Sequence, residues 1–259
     1  MSKKRKLIVN RSEKRLFITS YQKSGTHQIM PMFSDPIPDV VDRSWNCWIN
    51  APKRYGLNSE INQAGVNEVI RNLMVFKQKA TRAFGHLSYL AAFAEVFKEV
   101  DTKVLFNIRD PRDVIVAEFE NAKRHYRDGK KGMPLYNYLD SEDDTHLFDK
   151  KDPITELIIL ANARWPRWLG WLDHDFVMPV KYEDLRLETR ETVQRIIDFL
   201  VGEGCPPIDV MVNRAAPQPG NPTFRRGVPG EWKTAFNSHH VKLSEELLKD
   251  IIETLGYTV

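Results

Sequence analysis

The sequence predicts one α/β domain, in which helices flank a central, mainly parallel sheet. Short β-rich runs alternate with longer helical patterns, and two of these runs end in turns rich in charged residues. With 259 residues, the chain is long enough to bury the core of one large domain or of two small ones. We expect one domain over residues 1–259, with the basic segment 1–14 as a flexible tail.

Strands are predicted where short apolar runs are bounded by polar residues, at Leu16–Thr19, Lys103–Ile108 and Phe176–Tyr182. A helix is predicted to begin at about Asp113, which would cap it. Further helices are predicted over Pro153–Leu172, over the segment whose apolar face is Val193, Ile196, Ile197 and Leu200, and over Leu243–Leu255. Residues 31–66, 128–152 and 215–230 follow neither pattern, so we expect them to form loops.

The overall composition excludes several classes of protein and indicates the cellular compartment. Hydrophobic residues make up 42% of the chain, and the formal net charge of +3 is too small to indicate a nucleic-acid partner. The two cysteines, Cys47 and Cys205, lie far apart and predict neither a disulfide framework nor a zinc site. No apolar run approaches the roughly 18 residues that span a bilayer. We therefore expect a soluble, cytoplasmic protein that does not contact a membrane.

The first strand leads into a loop, Lys23-Ser24-Gly25-Thr26, at the start of a helix. Gly25 permits close approach of the backbone to a ligand, and the N–H groups of a helix start favour negative charge, so the predicted ligand is a phosphate. The loop differs from the Walker motif of kinases and GTPases, because its lysine precedes the glycine. Taken alone, the segment is also compatible with an ordinary strand–helix turn.

Two further segments carry arginines suited to anions. Arg109 follows the second predicted strand, at the sheet edge where open α/β folds bind ligands, and a guanidinium binds phosphate through paired hydrogen bonds. Arg225 and Arg226 lie in a loop rich in proline and glycine, after Phe224, which is available to stack on a base. A surface turn and a solvated basic loop are the alternatives for these two segments.

Four motifs together resemble one family. YQKSGT, RDPRDVIVA, VKYEDL and FRRGVPGEWKTAF resemble, in order and spacing over about residues 16–240, the cytosolic-type sulfotransferases that use 3′-phosphoadenosine 5′-phosphosulfate (PAPS). The resemblance implies transfer of a sulfuryl group from PAPS to a hydroxyl, or alternatively an amine, of a small-molecule acceptor. The implied second product is 3′-phosphoadenosine 5′-phosphate (PAP), and no metal is required.

The resemblance also implies roles for individual residues. The loop that would hold the 5′-phosphosulfate comprises Lys23, Ser24, Gly25, Thr26 and His27. The residues that would bind the 3′-phosphate are Arg109, Arg225, Arg226 and Gly227. The residues that would contact the adenine are Tyr182 and Phe224.

Catalysis is assigned to two of the matching residues. His86 matches the family's catalytic histidine and would act as the general base on the acceptor, while Lys23 would stabilise charge on the bridging oxygen of the donor. Without the resemblance, His86 is one of seven histidines, for which core or surface roles stay open.

The chain departs from the family at several positions. Gln22 replaces a usual proline, His27-Gln28 replaces a common Thr-Trp pair, and Ala117 replaces a serine that touches the 3′-phosphate. We expect weaker donor binding as a result. The alternatives are a nucleotide kinase of related topology and a non-catalytic, sulfotransferase-like binding module. The carboxylates of Glu118, Glu120 and the acidic run 140–144 suggest in addition a cationic acceptor.

Overall fold

The computed structural model describes residues 15–33, 82–99, 101–127, 147–200, 205–216 and 228–259. Within these ranges, four strands form one sheet: β1 (Arg15–Ser20), β2 (Arg82–Gly85), β3 (Thr102–Ile108) and β4 (Val177–Lys181). The strand order is β2-β1-β3-β4, and all three pairings are parallel. The predicted fold class is confirmed.

Helices connect the strands and cover both faces of the sheet. In chain order they are α1 (Thr26–Ile29), α2 (Ala91–Glu99), α3 (Pro111–Arg127), α4 (Pro153–Arg164), α5 (Pro166–Leu169), α6 (Tyr182–Leu187), α7 (Thr189–Phe199), α8 (Ile208–Ala215), α9 (Trp232–Ala235) and α10 (Ser238–Thr254). Short 3-10 turns lie at Met30–Phe33, Leu147–Asp149 and Gly170–Asp173. No helix within the described ranges is long and apolar enough to cross a membrane.

The two central strands are apolar on both faces because each face is covered by helices. Phe17 and Phe106 belong to the larger apolar cluster, to which α2, α4 and α10 contribute. Ile18 and Leu105 point to the opposite face and belong to a smaller cluster with residues of α7 and α8. The sheet is therefore the middle of three layers, and its carboxyl edge is left for the loops.

The predicted elements are found, with corrections at their ends. Asp113 does not cap α3: the helix begins at Pro111, and Asp110 is the cap, since its Oδ1 accepts from the Arg112 N–H at 2.9 Å. The helix predicted over Pro153–Leu172 ends at Arg164, because Pro166 lacks the N–H that would continue it. The last helix begins at Ser238, before the predicted Leu243–Leu255.

Candidate active site

Near the carboxyl end of each of the four described strands lies one of the site residues predicted from the sequence. Lys23 lies in the loop after β1, and His86 directly follows β2. Arg109 directly follows β3, and Tyr182 opens α6 directly after β4. Parallel strands end at the same sheet edge, so these four side chains share the edge at which open α/β folds bind ligands.

The loop after β1 has a conformation that few residues adopt. Lys23 has a φ of 61° and Gly25 a φ of 91°, both in the left-handed region that side chains disfavour. A Cβ on Gly25 would lie 2.4 Å from Cδ2 of Tyr182, so only glycine fits here. Asn107 donates from Nδ2 to the Ser24 carbonyl at 2.7 Å, and Arg109 donates from Nη1 to the Lys23 carbonyl at 3.5 Å. The loop is therefore held from β3 as well as from β1.

The two hydroxyl side chains of this loop differ in whether they have a hydrogen-bond partner. Thr26 shares a short hydrogen bond with the Ser20 hydroxyl, and both side chains are buried. The Ser24 hydroxyl is also buried but has no hydrogen-bond partner within the described part of the chain. Leaving such a group unpaired costs about 1–3 kcal/mol. An added anion at the loop would remove this cost. The helix α1 includes His27, of whose side chain nothing is described.

His86 is oriented by the end of β1. Its Nδ1 lies 3.0 Å from the Ser20 carbonyl oxygen and 3.1 Å from the Ser20 hydroxyl. A carbonyl only accepts hydrogen bonds, so Nδ1 carries a proton in this contact, and in a neutral imidazole Nε2 is then the nitrogen without one. The next residue, Leu87, exchanges two hydrogen bonds with the Thr19 side chain, at 3.1 and 3.2 Å. A neutral His86 with this tautomer is able to accept a proton at Nε2.

Arg109 lies between the loop and Tyr182. Its guanidinium carbon is 4.5 Å from the centre of the Tyr182 ring, and its Nη2 is 3.8 Å from Oδ2 of Asp113. Only 7% of Arg109 is exposed, and its Nε has no hydrogen-bond partner among the described residues. A buried guanidinium with an unused donor fits a further anion.

Asp113 joins the two arginine-bearing segments. Its fully buried carboxylate accepts hydrogen bonds from the N–H groups of Gly230 at 2.7 Å and Trp232 at 2.9 Å. Burial raises the pKa of Asp113, and these two N–H groups together with the charge of Arg109 oppose that rise. The chain shortly after Arg226 is thus fixed to the first turn of α3. Phe224, Arg225, Arg226 and Gly227 themselves lie outside the described residues.

The second arginine of the RDPR motif has a different role. Arg112 binds Asp110 through Nε at 3.0 Å and Nη2 at 2.8 Å, and Nη2 also donates to the Thr258 carbonyl at 2.6 Å. The N–H of Asp110 donates to Glu183, which also accepts from the Tyr257 hydroxyl at 2.6 Å. These contacts hold the last residues of the chain against the start of α3.

Glu118, which the sequence suggested as part of a site for a cationic acceptor, has its described effect on Lys23. Burial lowers the pKa of Lys23, and the negative charge of Glu118 opposes this effect. Glu118 itself is 3% exposed, its Oε1 has no hydrogen-bond partner among the described residues, and burial raises its pKa to about 7. Glu120 instead forms a surface ion pair with Lys123 at 3.9 Å. The two glutamates therefore do not form one acidic patch, and the run 140–144 lies outside the described residues.

The sequence of this chain is similar to those of known sulfotransferases. The family model described as the sulfotransferase domain matches residues 13–256. The chain belongs to the sulfotransferase family. Among curated relatives, mouse sulfotransferase 2A6 is 21% identical, covering 91% of this chain and 83% of its own. The 3-alpha-hydroxysteroid sulfotransferase of Cavia porcellus is 22% identical, covering 68% of this chain and 65% of its own.

Solved structures show the same fold. Mouse sulfotransferase SULT7A1 complexed with PAP has a TM-score of 0.57 at 19% identity, over 93% of this chain and 84% of its own. Retinol dehydratase in complex with androsterone and the inactive cofactor PAP has a TM-score of 0.51 at 16% identity, over 97% of this chain and 83% of its own. The predicted family is confirmed. The roles of individual residues stay predictions.

Proposed function

We propose that this protein transfers a sulfuryl group from PAPS to a hydroxyl, or alternatively an amine, of a small-molecule acceptor and releases PAP. The observation that carries the proposal is the position of His86 at the same sheet edge as Lys23, with its Nδ1 bound to the Ser20 carbonyl. PAP in the neighbouring structures supports the donor, and androsterone in one of them supports a small-molecule acceptor. The chain would act as one domain, in the cytoplasm.

The residues present fit the donor. Ser24 Oγ and Arg109 Nε are buried polar atoms without hydrogen-bond partners among the described residues, and both suit anionic oxygens. In the proposal, the residues that hold the 5′-phosphosulfate are Lys23, Ser24, Gly25, Thr26 and His27. Those that bind the 3′-phosphate are Arg109, Arg225, Arg226 and Gly227, and those that contact the adenine are Tyr182 and Phe224.

The chemistry assigned to the chain needs two side chains and no metal. The donor supplies the sulfuryl group. His86 takes the acceptor's proton on Nε2 as the acceptor oxygen bonds to sulfur, because a neutral hydroxyl is a weak nucleophile. Lys23 stabilises the negative charge that develops on the bridging oxygen as its bond to sulfur breaks. The Ser20 carbonyl then stabilises the charged imidazole through its contact with Nδ1.

The test is a transfer assay on the full chain. Labelled PAPS is offered with a panel of small phenols, alcohols, sterols and amines, and ATP with Mg²⁺ is offered in parallel. We expect label on an acceptor from PAPS alone. Transfer of phosphate from ATP would instead establish the kinase alternative. Binding of PAP without turnover of any acceptor would favour the non-catalytic module that Ala117 and the His27-Gln28 pair suggest.

A further inference from the structure

Glu183 links the two strand ends that carry Arg109 and Tyr182. Its Oε1 accepts, at 3.1 Å, from the backbone N–H of Asp110, which belongs to the peptide bond that follows Arg109. Glu183 is also the residue after Tyr182, the first residue of α6. Its carboxylate therefore fixes the end of β3 relative to the end of β4, where the guanidinium carbon of Arg109 lies 4.5 Å from the centre of the Tyr182 ring.

The second oxygen of Glu183 is held by Tyr257. The Tyr257 hydroxyl donates to Oε2 at 2.6 Å, and the ammonium of Lys181 lies 4.5 Å from the centre of the Tyr257 ring. With both oxygens bound, the carboxylate is fixed in one orientation. With Oε2 released, it is free to turn away from the N–H of Asp110, so Tyr257 controls the link between the two strands.

The turn at the end of α10 brings Tyr257 to this position. Gly256 has a φ of 74°. Its N–H donates to the Glu253 carbonyl, and the N–H of Tyr257 donates to the Ile252 carbonyl, both at 2.9 Å. This is the Schellman arrangement that ends helices at a left-handed glycine. The backbone itself thus sets the direction of the chain after α10.

The next residue contacts the same turn in a different way. The Thr258 carbonyl accepts from Nη2 of Arg112, whose guanidinium binds both carboxylate oxygens of Asp110. This contact holds the Asp110 side chain, whereas Glu183 holds the N–H of the peptide bond after Arg109. The inference below therefore concerns Tyr257, whose partner is Glu183.

The side chain of Arg109 depends on support through its backbone. Its polar contacts among the described residues are long, at 3.5 Å to the Lys23 carbonyl and 3.8 Å to Asp113, and its Nε has none. Contacts of such length orient a guanidinium only weakly. The direction of the guanidinium is therefore set by the peptide bond after Arg109 and by the Tyr182 ring, and Glu183 is joined to both.

We propose that Tyr257 is a positioning residue of the donor site, which acts by holding the carboxylate of Glu183. Glu183 in turn keeps Arg109 and Tyr182 at the separation that the 3′-phosphate and the adenine of the donor require. This inference rests on the proposed function and adds to it a residue outside the four motifs.

The two proposed ligand contacts differ in how precisely they must be placed. The hydrogen bonds of a guanidinium depend steeply on distance and angle, whereas the contact of an aromatic ring with a base tolerates small displacements. Loss of the Tyr257 hydroxyl should therefore weaken the binding of PAP more than that of AMP, which lacks the 3′-phosphate.

The experiment is calorimetric titration of the full chain with PAP and with AMP, at a temperature at which every variant is folded. Tyr257→Phe removes the hydroxyl and keeps the ring. We expect its PAP affinity to fall about three- to tenfold, the equivalent of one hydrogen bond, and its AMP affinity to change by less than about twofold. The matched control is Tyr89→Phe, which removes a hydroxyl 3.2 Å from Nε2 of His174 and should leave both affinities unchanged.

A double-mutant cycle tests whether Tyr257 acts through Arg109. In Arg109→Gln the contact with the 3′-phosphate is already lost, so adding Tyr257→Phe should lower PAP affinity by less than about twofold further. Additive losses would overturn this inference. An equal loss of affinity for PAP and AMP in Tyr257→Phe would indicate a general structural role and would also overturn it.

Glu183→Gln carries the same tests if Tyr257→Phe does not fold. The amide keeps an oxygen for the N–H of Asp110, but its second polar atom is a donor and cannot accept from the Tyr257 hydroxyl. Wild-type affinities in the folded variant would overturn this inference while leaving the proposed function intact. Failure of the folded wild type to bind PAP would overturn the proposed function, and this inference with it.

Discussion

Arg109 and Arg112 stand three residues apart in one motif, yet they differ in how completely their guanidinium groups are hydrogen-bonded. Arg112 has carboxylate, carbonyl and aromatic partners on every side: Asp110, Thr258 and the Trp232 ring, 3.9 Å from its guanidinium carbon. Arg109 is also buried, but its carboxylate and carbonyl contacts are longer, at 3.8 Å to Asp113 and 3.5 Å to Lys23, and its Nε has no hydrogen-bond partner among the described residues. Burial alone does not mark a ligand site. Burial with unused donors does, because such donors are costly unless something binds them.

The largest expected effect concerns the base. His86→Asn should lower turnover about 10²- to 10⁴-fold, the usual contribution of a general base, because no unprotonated imidazole nitrogen remains to take the acceptor's proton. PAP affinity should stay within a few-fold of the wild type. The matched control is His239→Asn, at an exposed histidine of α10. Near wild-type turnover in a folded His86→Asn variant would move the role to another histidine, with His27 the next candidate.

The same substitution at the two arginines tests the comparison directly. Arg109→Gln should weaken PAP binding by about ten- to a hundredfold, since it removes a charge-assisted contact worth roughly 1.5–3 kcal/mol. Arg112→Gln should instead lower the free energy of unfolding by about 1–3 kcal/mol, because Asp110 and the Thr258 carbonyl lose the hydrogen bonds that the guanidinium donates. PAP titration and chemical denaturation of both variants give the two numbers. If both variants lost the same affinity for PAP, the proposed difference between a ligand-binding Arg109 and a structural Arg112 would be wrong.

The smallest expected effect concerns the unpaired hydroxyl. Ser24→Ala should leave the stability of the free protein unchanged or slightly raised, because the Ser24 hydroxyl has no described partner to lose. PAP affinity should fall a few-fold. Thr26→Val is the contrasting variant, since the Thr26 hydroxyl already bonds to Ser20. A stability loss in Ser24→Ala larger than in Thr26→Val would contradict this assignment.

The strands and their functional ends were predictable from the sequence, because buried strands carry apolar runs that stop abruptly at polar residues. Leu16–Thr19 and Lys103–Ile108 are of this kind, and the motifs follow them. The strand β2, with only Arg82–Gly85, is too short for its pattern to be recognised. His86 was therefore found by resemblance and not by its position after a strand.

Tertiary contacts account for what the sequence could not predict. Asp113 resembles a helix cap by its position, but the cap is Asp110, and Asp113 binds backbone more than a hundred residues away. Glu118 and Glu120 look alike in sequence, and only the packing of α3 buries the first and leaves the second in a surface pair with Lys123. Contacts of this kind depend on tertiary packing, because the packing decides which face of a helix is buried and which loop lies against it.

The central claim is that this sheet edge binds a nucleotide with phosphates at both the 3′ and the 5′ position, and thermal melting tests it most directly. At about a hundredfold excess over its dissociation constant, PAP should stabilise the full chain by about 2.7 kcal/mol and raise the melting temperature by several degrees. AMP and ATP, which lack the 3′-phosphate, should at the same concentration give much smaller shifts. A shift with AMP equal to that with PAP would contradict the account.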